Sequence, residues 1–167
     1  LGVITDATSI KVRKQYENNP YPRWVRACVR ADPVAADAVF KQSALKFRSG
    51  CPLNLANPEI LIAGCGTGQH AIESAATWRG SKVLAVDISL ASLSYAQRKT
   101  NELNQENIDF LHADILDLRS LNRDFDIVEC VGVLHHMRDP SAGLQALIDL
   151  MKPGGLIKVG LYSEIAR

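Results

Sequence analysis

The sequence predicts an α/β fold, a mostly parallel sheet with helices on both faces. Three observations carry this expectation. Short apolar runs of strand length alternate with helical patterns of roughly 10–15 residues. The first run stops at a Gly-x-Gly-x-Gly segment that leads into a helix. The second run stops at an acid, Asp87. Strands alternating with helices imply a parallel sheet built from right-handed crossovers.

Taken in order, residues 1–58 read differently from the rest and form a helical front segment. A polar, partly helical stretch over 9–17 runs into Pro20, Tyr21 and Pro22, where two prolines forbid regular helix. Apolar residues at Val34, Ala35, Ala38, Val39 and Leu45 then recur with a helical period, and Asp32-Pro33 supplies a cap followed by proline at the first helical position. Gly50, Pro52, Asn54, Asn57 and Pro58 mark a connecting loop.

The second unit, residues 59–167, opens with a strand at 60–63. A helix is expected over 69–78 and a second strand over 82–87. Ser89 caps a helix carrying Leu90, Leu93, Ala96 and Leu103. Residues 108–111 and 125–131 are the third and fourth strands. Asp139-Pro140 starts a helix with Leu144, Leu147, Ile148 and Met151 on one face. Lys152, Pro153, Gly154 and Gly155 break it, and 156–162 is a fifth strand. The core is expected to be truncated after this fifth strand and incomplete at its C-terminus.

Hydrophobic residues make up 47% of the 167 and charged residues 22%, which is ample for a core and excludes disorder over most of the chain. No apolar run approaches the ~18–20 residues of a membrane helix. Residues 1–14 hold no continuous apolar stretch, so no secretory signal is read there. The first residue is Leu rather than Met, which points to a piece of a longer chain. A net charge of +1 gives no global attraction to nucleic acid. Residues 1–50 nevertheless hold nine Lys or Arg against four Asp or Glu; this basic front either steers an anionic substrate or is a solvated surface. Cys28, Cys51, Cys65 and Cys130 include no C-x-x-C pair, so neither a zinc ribbon nor a redox dithiol is signalled. A reducing, cytoplasmic compartment is expected. No metal-ligand cluster is apparent.

The informative segment is Ala63-Gly64-Cys65-Gly66-Thr67-Gly68. Glycines let the backbone turn tightly and approach a ligand, and the loop N–H groups with the helix amino end are expected to face it. A nucleoside and an amino-acid carboxylate are both suitable guests. Asp87 ends the next strand, 21 residues after Gly66, where an acid accepts both ribose hydroxyls. The spacing is one residue short of the dinucleotide fingerprint Gly-x-Gly-x-x-Gly. This disfavours a nicotinamide-dependent oxidoreductase and favours a different nucleoside cofactor.

These residues, with Leu84-Ala85-Val86-Asp87-Ile88-Ser89, His112-Ala113-Asp114-Ile115, Phe125-Asp126-Ile127-Val128, Val133-Leu134-His135-His136-Met137 and Leu150-Met151-Lys152-Pro153-Gly154-Gly155-Leu156, resemble the ordered motifs of class I S-adenosylmethionine-dependent methyltransferases, whose fold is Rossmann-like. The likeness covers about residues 59–162. Residues 15–24, Gln-Tyr-Glu-Asn-Asn-Pro-Tyr-Pro-Arg-Trp, are similar to a segment of bacterial methyltransferases often joined to tetratricopeptide repeats. Such repeats would lie upstream. The family's sheet has seven strands, so the fifth strand here would stand at an edge, completed by further chain or covered in a homodimer.

The resemblance implies S-adenosyl-L-methionine as cofactor, S-adenosyl-L-homocysteine as product, and in-line methyl transfer to an unidentified acceptor. A cofactor-binding interaction module without catalysis is the alternative. Gly64, Cys65, Gly66 and Gly68 would pack under the cofactor and Asp87 would hold the ribose. Asp114 would face the adenine amino group, or cap a helix, with Ile88 and Ile115 flanking the ring. The backbone of Cys130 and Val131 would lie beside it. His135 or His136 would take the proton of the attacking group, or serve structurally; one of the two would face the pocket. Tyr16, with Tyr21, Arg23 and Trp24, would form a lid or pack the front onto the sheet. His70 would be structural or near the cofactor carboxylate.

Overall fold

The structure is a computed structural model that describes residues 3–42 and 55–162. Five parallel strands lie in the order β3-β2-β1-β4-β5: β1 Glu59–Ala63, β2 Lys82–Asp87, β3 Ile108–His112, β4 Phe125–Val131 and β5 Met151–Gly160. Helices α3 Gln69–Thr77, α4 Leu90–Glu102 and α5 Pro140–Ile148 connect them, with a 3-10 helix over Ile115–Leu121 and a 3-10 turn over Leu134–His136. Two helices precede the sheet, α1 Ala7–Asn18 and α2 Ala36–Gln42.

Strand β1 is central, and Ile60, Leu61, Ile62 and Ala63 are all buried. It reads as an unbroken apolar run because both of its faces are covered. Ile60 and Ile62 join Val83 and Ala85 of β2 against Ala71 and Ile72 of α3 and Leu93 of α4. Leu61 and Ala63 join Leu84 and Val86 against Leu118, Ala146 and Leu147 on the opposite face. The chain passes from β1 to β2 and β3 on one side, then returns to place β4 on the other. The reversal leaves a crevice at the carboxyl ends of β1 and β4, where open sheets of this kind bind ligands.

Local chemistry sets the helix starts. Ser89 Oγ accepts from Ser92 N–H at 3.1 Å, and Asp139 accepts from Ser141 and Ala142 N–H at 3.0 Å with Pro140 in the first turn, as expected. Two boundaries differ from the expectation. Helix α2 starts at Ala36 rather than Pro33, because Val34 is extended: its N–H donates to Thr77 O and its carbonyl accepts from Arg79 N–H. Strand β5 starts at Met151, which pairs with Phe125, whereas the next partners are Ile127 and Leu156. The Lys152–Gly155 turn, with Gly154 at φ +80°, bulges out of a strand that it was expected to precede. Leu45 and residues 50–54 lie outside the described residues.

The front segment is tied across the glycine turn. The Trp24 indole N–H donates to Thr67 O and Oγ1 at 3.2 and 3.0 Å, Thr67 Oγ1 donates to Pro22 O at 2.5 Å, and Tyr95 OH donates to Trp24 O at 2.8 Å. Trp24 is buried, edge-on to Tyr95. Helix α1 contributes no fully buried residue and is clasped at its ends. The Glu17 carboxylate accepts from Leu90 and Ala91 N–H at 2.8 and 3.0 Å, so an acid from one helix caps another. At the other end Asp6 lies 4.0 Å from Arg138. Among the described residues β5 pairs only with β4, and no helix is long and apolar enough to cross a membrane.

The clasp is testable. In Glu17→Ala, amide hydrogen exchange within Ala7–Asn18 should speed up by roughly fivefold while the urea midpoint of the whole chain hardly moves. Unaltered exchange in α1 would show that another contact holds it.

Candidate functional site

A cavity of about 580 Å³ crosses the carboxyl ends of all five strands. From one end to the other its floor and walls run through Asp114 beyond β3, Asp87 and Ile88 at β2, Gly64–Gly66 at β1, Val131–Val133 at β4 and Lys158–Tyr162 at β5. Its roof comes from the front segment through Ser9, Val12, Tyr16, Tyr21 and Pro22.

The turn after β1 is held by a dense set of bonds. Gly64 and Cys65 N–H donate to Val86 O at 2.8 and 2.9 Å, Thr67 N–H to Tyr21 O at 3.1 Å and Gly68 N–H to Cys65 O at 3.0 Å. Gly66 N–H donates to Asp87 Oδ2 at 2.8 Å. The expectation that these amides face a ligand is therefore corrected: all five already have protein partners. What the turn offers instead is bare backbone at φ +76° and +54° for Gly64 and Gly66, beside the Asp87 carboxylate. Asp87 Oδ1 accepts from Ser89 N–H at 2.9 Å. Both oxygens are thus engaged by backbone N–H groups. Burial pushes the Asp87 pKa above the ordinary carboxylate value, against the pull of the Ser89 and Gly66 amides.

Twelve of the residues singled out from the sequence line the cavity: Tyr16, Tyr21, Gly64, Cys65, Gly66, His70, Asp87, Ile88, Asp114, Ile115, Val131 and His136. Asp114 does both things weighed for it, since it lines the wall and its Oδ1 accepts from Leu116 N–H at 3.0 Å to cap the 3-10 helix. Burial raises the Tyr16 phenol, assisted by Tyr162, Asp87 and Tyr21. It also raises the Cys65 thiol well above its usual value.

Three others lie elsewhere. A Cβ on Gly68 would meet Ala96 Cβ at 2.6 Å, so this glycine permits close packing of α3 on α4. Cys130 is buried in the core on the far face of β4, where burial pushes its thiol up to about 12. His135 sits behind His136, with the two Nε2 atoms 3.1 Å apart and its ring against Tyr162. His135 Nδ1 is buried without a partner.

One group was not singled out from the sequence. Glu129 is buried in β4 and faces α3. Its Oε2 accepts from His70 Nε2 at 2.9 Å and Lys158 Nζ at 3.0 Å, and its Oε1 from Ser74 Oγ at 2.9 Å. His70 and Lys158 both line the cavity. The only sequence signal was an acid inside an apolar run, at a position whose neighbours two residues away are Ile127 and Val131. Among the described residues no cluster of three or more His, Cys, Asp or Glu could hold a metal ion.

Residues 60–155 match a family described as a methyltransferase domain, more than half of the chain. The chain belongs to that family. An uncharacterised protein of Synechococcus sp. is 38% identical over 126 residues, 75% of this chain and 30% of that protein. A ubiquinone biosynthesis O-methyltransferase of Pseudomonas fluorescens is 33% identical over 117 residues, 69% of this chain and 47% of that one. The structure of PKMT2 from Rickettsia typhi in complex with AdoHcy has a TM-score of 0.60 at 27% identity, covering 65% of this chain and 22% of that one. The chain spans less than half the length of each of these relatives.

Burial alone would raise the Glu129 carboxyl, but the bonds and charges of His70 and Lys158 outweigh it and hold the pKa at about 2, below the ordinary 4.5. The stabilisation is complete above 4.5 and is lost as pH falls from there through about 2. Glu129→Gln should cost about 3 kcal/mol at neutral pH. Urea unfolding should show that gap closing as pH falls through the same window. A gap that is independent of pH would contradict the assignment.

Proposed function

We propose that the chain binds S-adenosyl-L-methionine across the strand ends and transfers its methyl group to a hydroxyl of an acceptor lying over β4 and β5. The observation that carries this is the continuity of one cavity from the acids at β2 and β3, past the glycine turn, to the imidazole beyond β4. Its volume of about 580 Å³ suits a nucleoside-sized cofactor with a small acceptor.

The donor set fits the cofactor. The Asp87 carboxylate, on the cavity wall, offers acceptors to the ribose hydroxyls, and Asp114 offers an acceptor to the adenine amine between Ile88 and Ile115. Bare backbone at Gly64 and Gly66 and the main chain at Val131 leave room for the amino-acid end. When bound, the cofactor supplies a methyl carbon already activated by a positive sulfur. The protein then has to align and desolvate: the acceptor oxygen is held in line at roughly 3–3.5 Å from that carbon. The new C–O bond forms as the C–S bond breaks and its electron pair returns to sulfur. The acceptor proton passes to the His136 imidazole, which lines the cavity.

Residues 1–58 act as the lid and 59–167 as the binding core. Tyr16 and Tyr21 close the roof, and the clasps at Asp6 and Glu17 hold α1 in place. An oxygen acceptor is supported by the O-methyltransferases among the relatives. The free thiols of Cys28, Cys65 and Cys130 support a cytoplasmic setting. Among the described residues the outer edge of β5 has no strand beside it, which supports completion of the sheet by further chain of a longer protein or by a second copy.

Calorimetric titration with S-adenosyl-L-methionine tests the reading, and the absence of binding at hundreds of micromolar would refute it. Asp87→Asn should weaken binding by on the order of 30-fold or more; an unchanged Kd would remove Asp87 from the ribose site. His136→Ala should lower methyl transfer from labelled cofactor to phenolic acceptors by about 100-fold or more, with cofactor Kd unchanged. Equal loss from a panel of thiol acceptors, ionised without help, would argue against a base at this position.

A further inference from the structure

The charges of the cavity are divided along the sheet. Asp87 and Asp114 stand at the β2 and β3 end. Of the lining residues contributed by β4, β5 and the loops after them, Lys158 is the one with a fixed charge. It lies directly across the ladder from Glu129, and both side chains lie on the α3 side. On an edge strand a lysine commonly points outward, where it discourages pairing with other chains. Here the ammonium is drawn inward, 3.0 Å from the Glu129 carboxylate, although the side chain is 63% exposed.

The bonding leaves the cation available. Glu129 is satisfied by three donors, His70, Ser74 and Lys158. An ionised carboxylate only accepts, so His70 carries a proton on Nε2. An ammonium has three donors, and the bond to Glu129 engages one of them. Placing a carboxylate inside a sheet is unfavourable unless it is fully bonded, and an apolar residue would pack there at least as well for stability alone. What the buried Glu129 achieves is to hold a lysine and a histidine at fixed positions on the wall of the acceptor end.

We propose that Lys158, held by Glu129 and flanked by His70, binds a carboxylate carried by the methyl acceptor. The acceptor is then a hydroxy acid whose planar body lies among Tyr16, Met137 and Tyr162 and whose hydroxyl meets His136. The inference rests on the methyl-transfer reading and names the substrate class of that site. The same chemistry could be met by the cofactor's own amino-acid carboxylate, and the experiment separates the two.

The whole chain is first titrated with S-adenosyl-L-homocysteine. The saturated protein is then titrated with protocatechuate and with catechol, which differ only by a carboxylate. Wild type should prefer protocatechuate by about tenfold. Lys158→Met should remove that preference, Lys158→Arg should retain most of it, and both should bind the homocysteine nucleoside within twofold of wild type. Equal affinity for the two phenols, or no binding of either while the nucleoside binds, would overturn the carboxylate site and leave methyl transfer standing. A tenfold loss of nucleoside affinity in Lys158→Met would assign the lysine to the cofactor and overturn it as well. If the nucleoside itself fails to bind, both readings fall.

Discussion

The bond from Gly66 N–H to Asp87 is the constraint on which the cavity depends. It joins the turn after β1 to the tip of β2, two strands that already pair along five residues from Glu59 to Ala63. With Gly64 and Cys65 donating to Val86 O, the turn cannot fold back over the sheet, and the crevice at the strand ends stays open. Thr67 then carries the constraint outward. Its backbone and hydroxyl fix Tyr21 and Pro22, so the roof is registered to the floor through the same few residues. The same carboxylate that organises its own loop also lines the cavity.

The two ends of the cavity solve different electrostatic problems. At the β2 end the carboxylates sit among amides, which matches hydroxyl and amine donors. At the β5 end a buried acid is neutralised by the residues it positions. Glu129 illustrates how a group that adds little net stability compared with an apolar residue can still fix geometry, because leaving its own buried carboxylate short of partners is costly. The His135–His136 pair follows the same logic on a smaller scale. The rear imidazole lies 3.1 Å from the one in front and fixes where that ring sits.

Much of the fold was legible from residue patterns. The strand runs, the Ser89 and Asp139 caps and the glycine turn depend on neighbours within a few positions, and local propensity and period report such neighbours. The start of α2 and the start of β5 were misplaced for the opposite reason. Val34 is extended because it pairs with the end of α3, and Met151 is a strand residue because Phe125 lies beside it. Neither partner is near in sequence.

The division is the same for the site. The sequence by itself determined a parallel sheet, a nucleoside-sized turn and the acid that faces it, because the chain direction at a strand end and the identity of the next acid are properties of short segments. Tertiary structure alone decided that Gly68 packs against Ala96, that Cys130 faces away and that His136 rather than His135 meets the cavity. It also decided that Glu129, His70, Ser74 and Lys158 converge. Hydrogen bonds between groups dozens of residues apart form only once the sheet order brings β4 between β1 and β5, and no local pattern encodes which side of a strand will meet which helix.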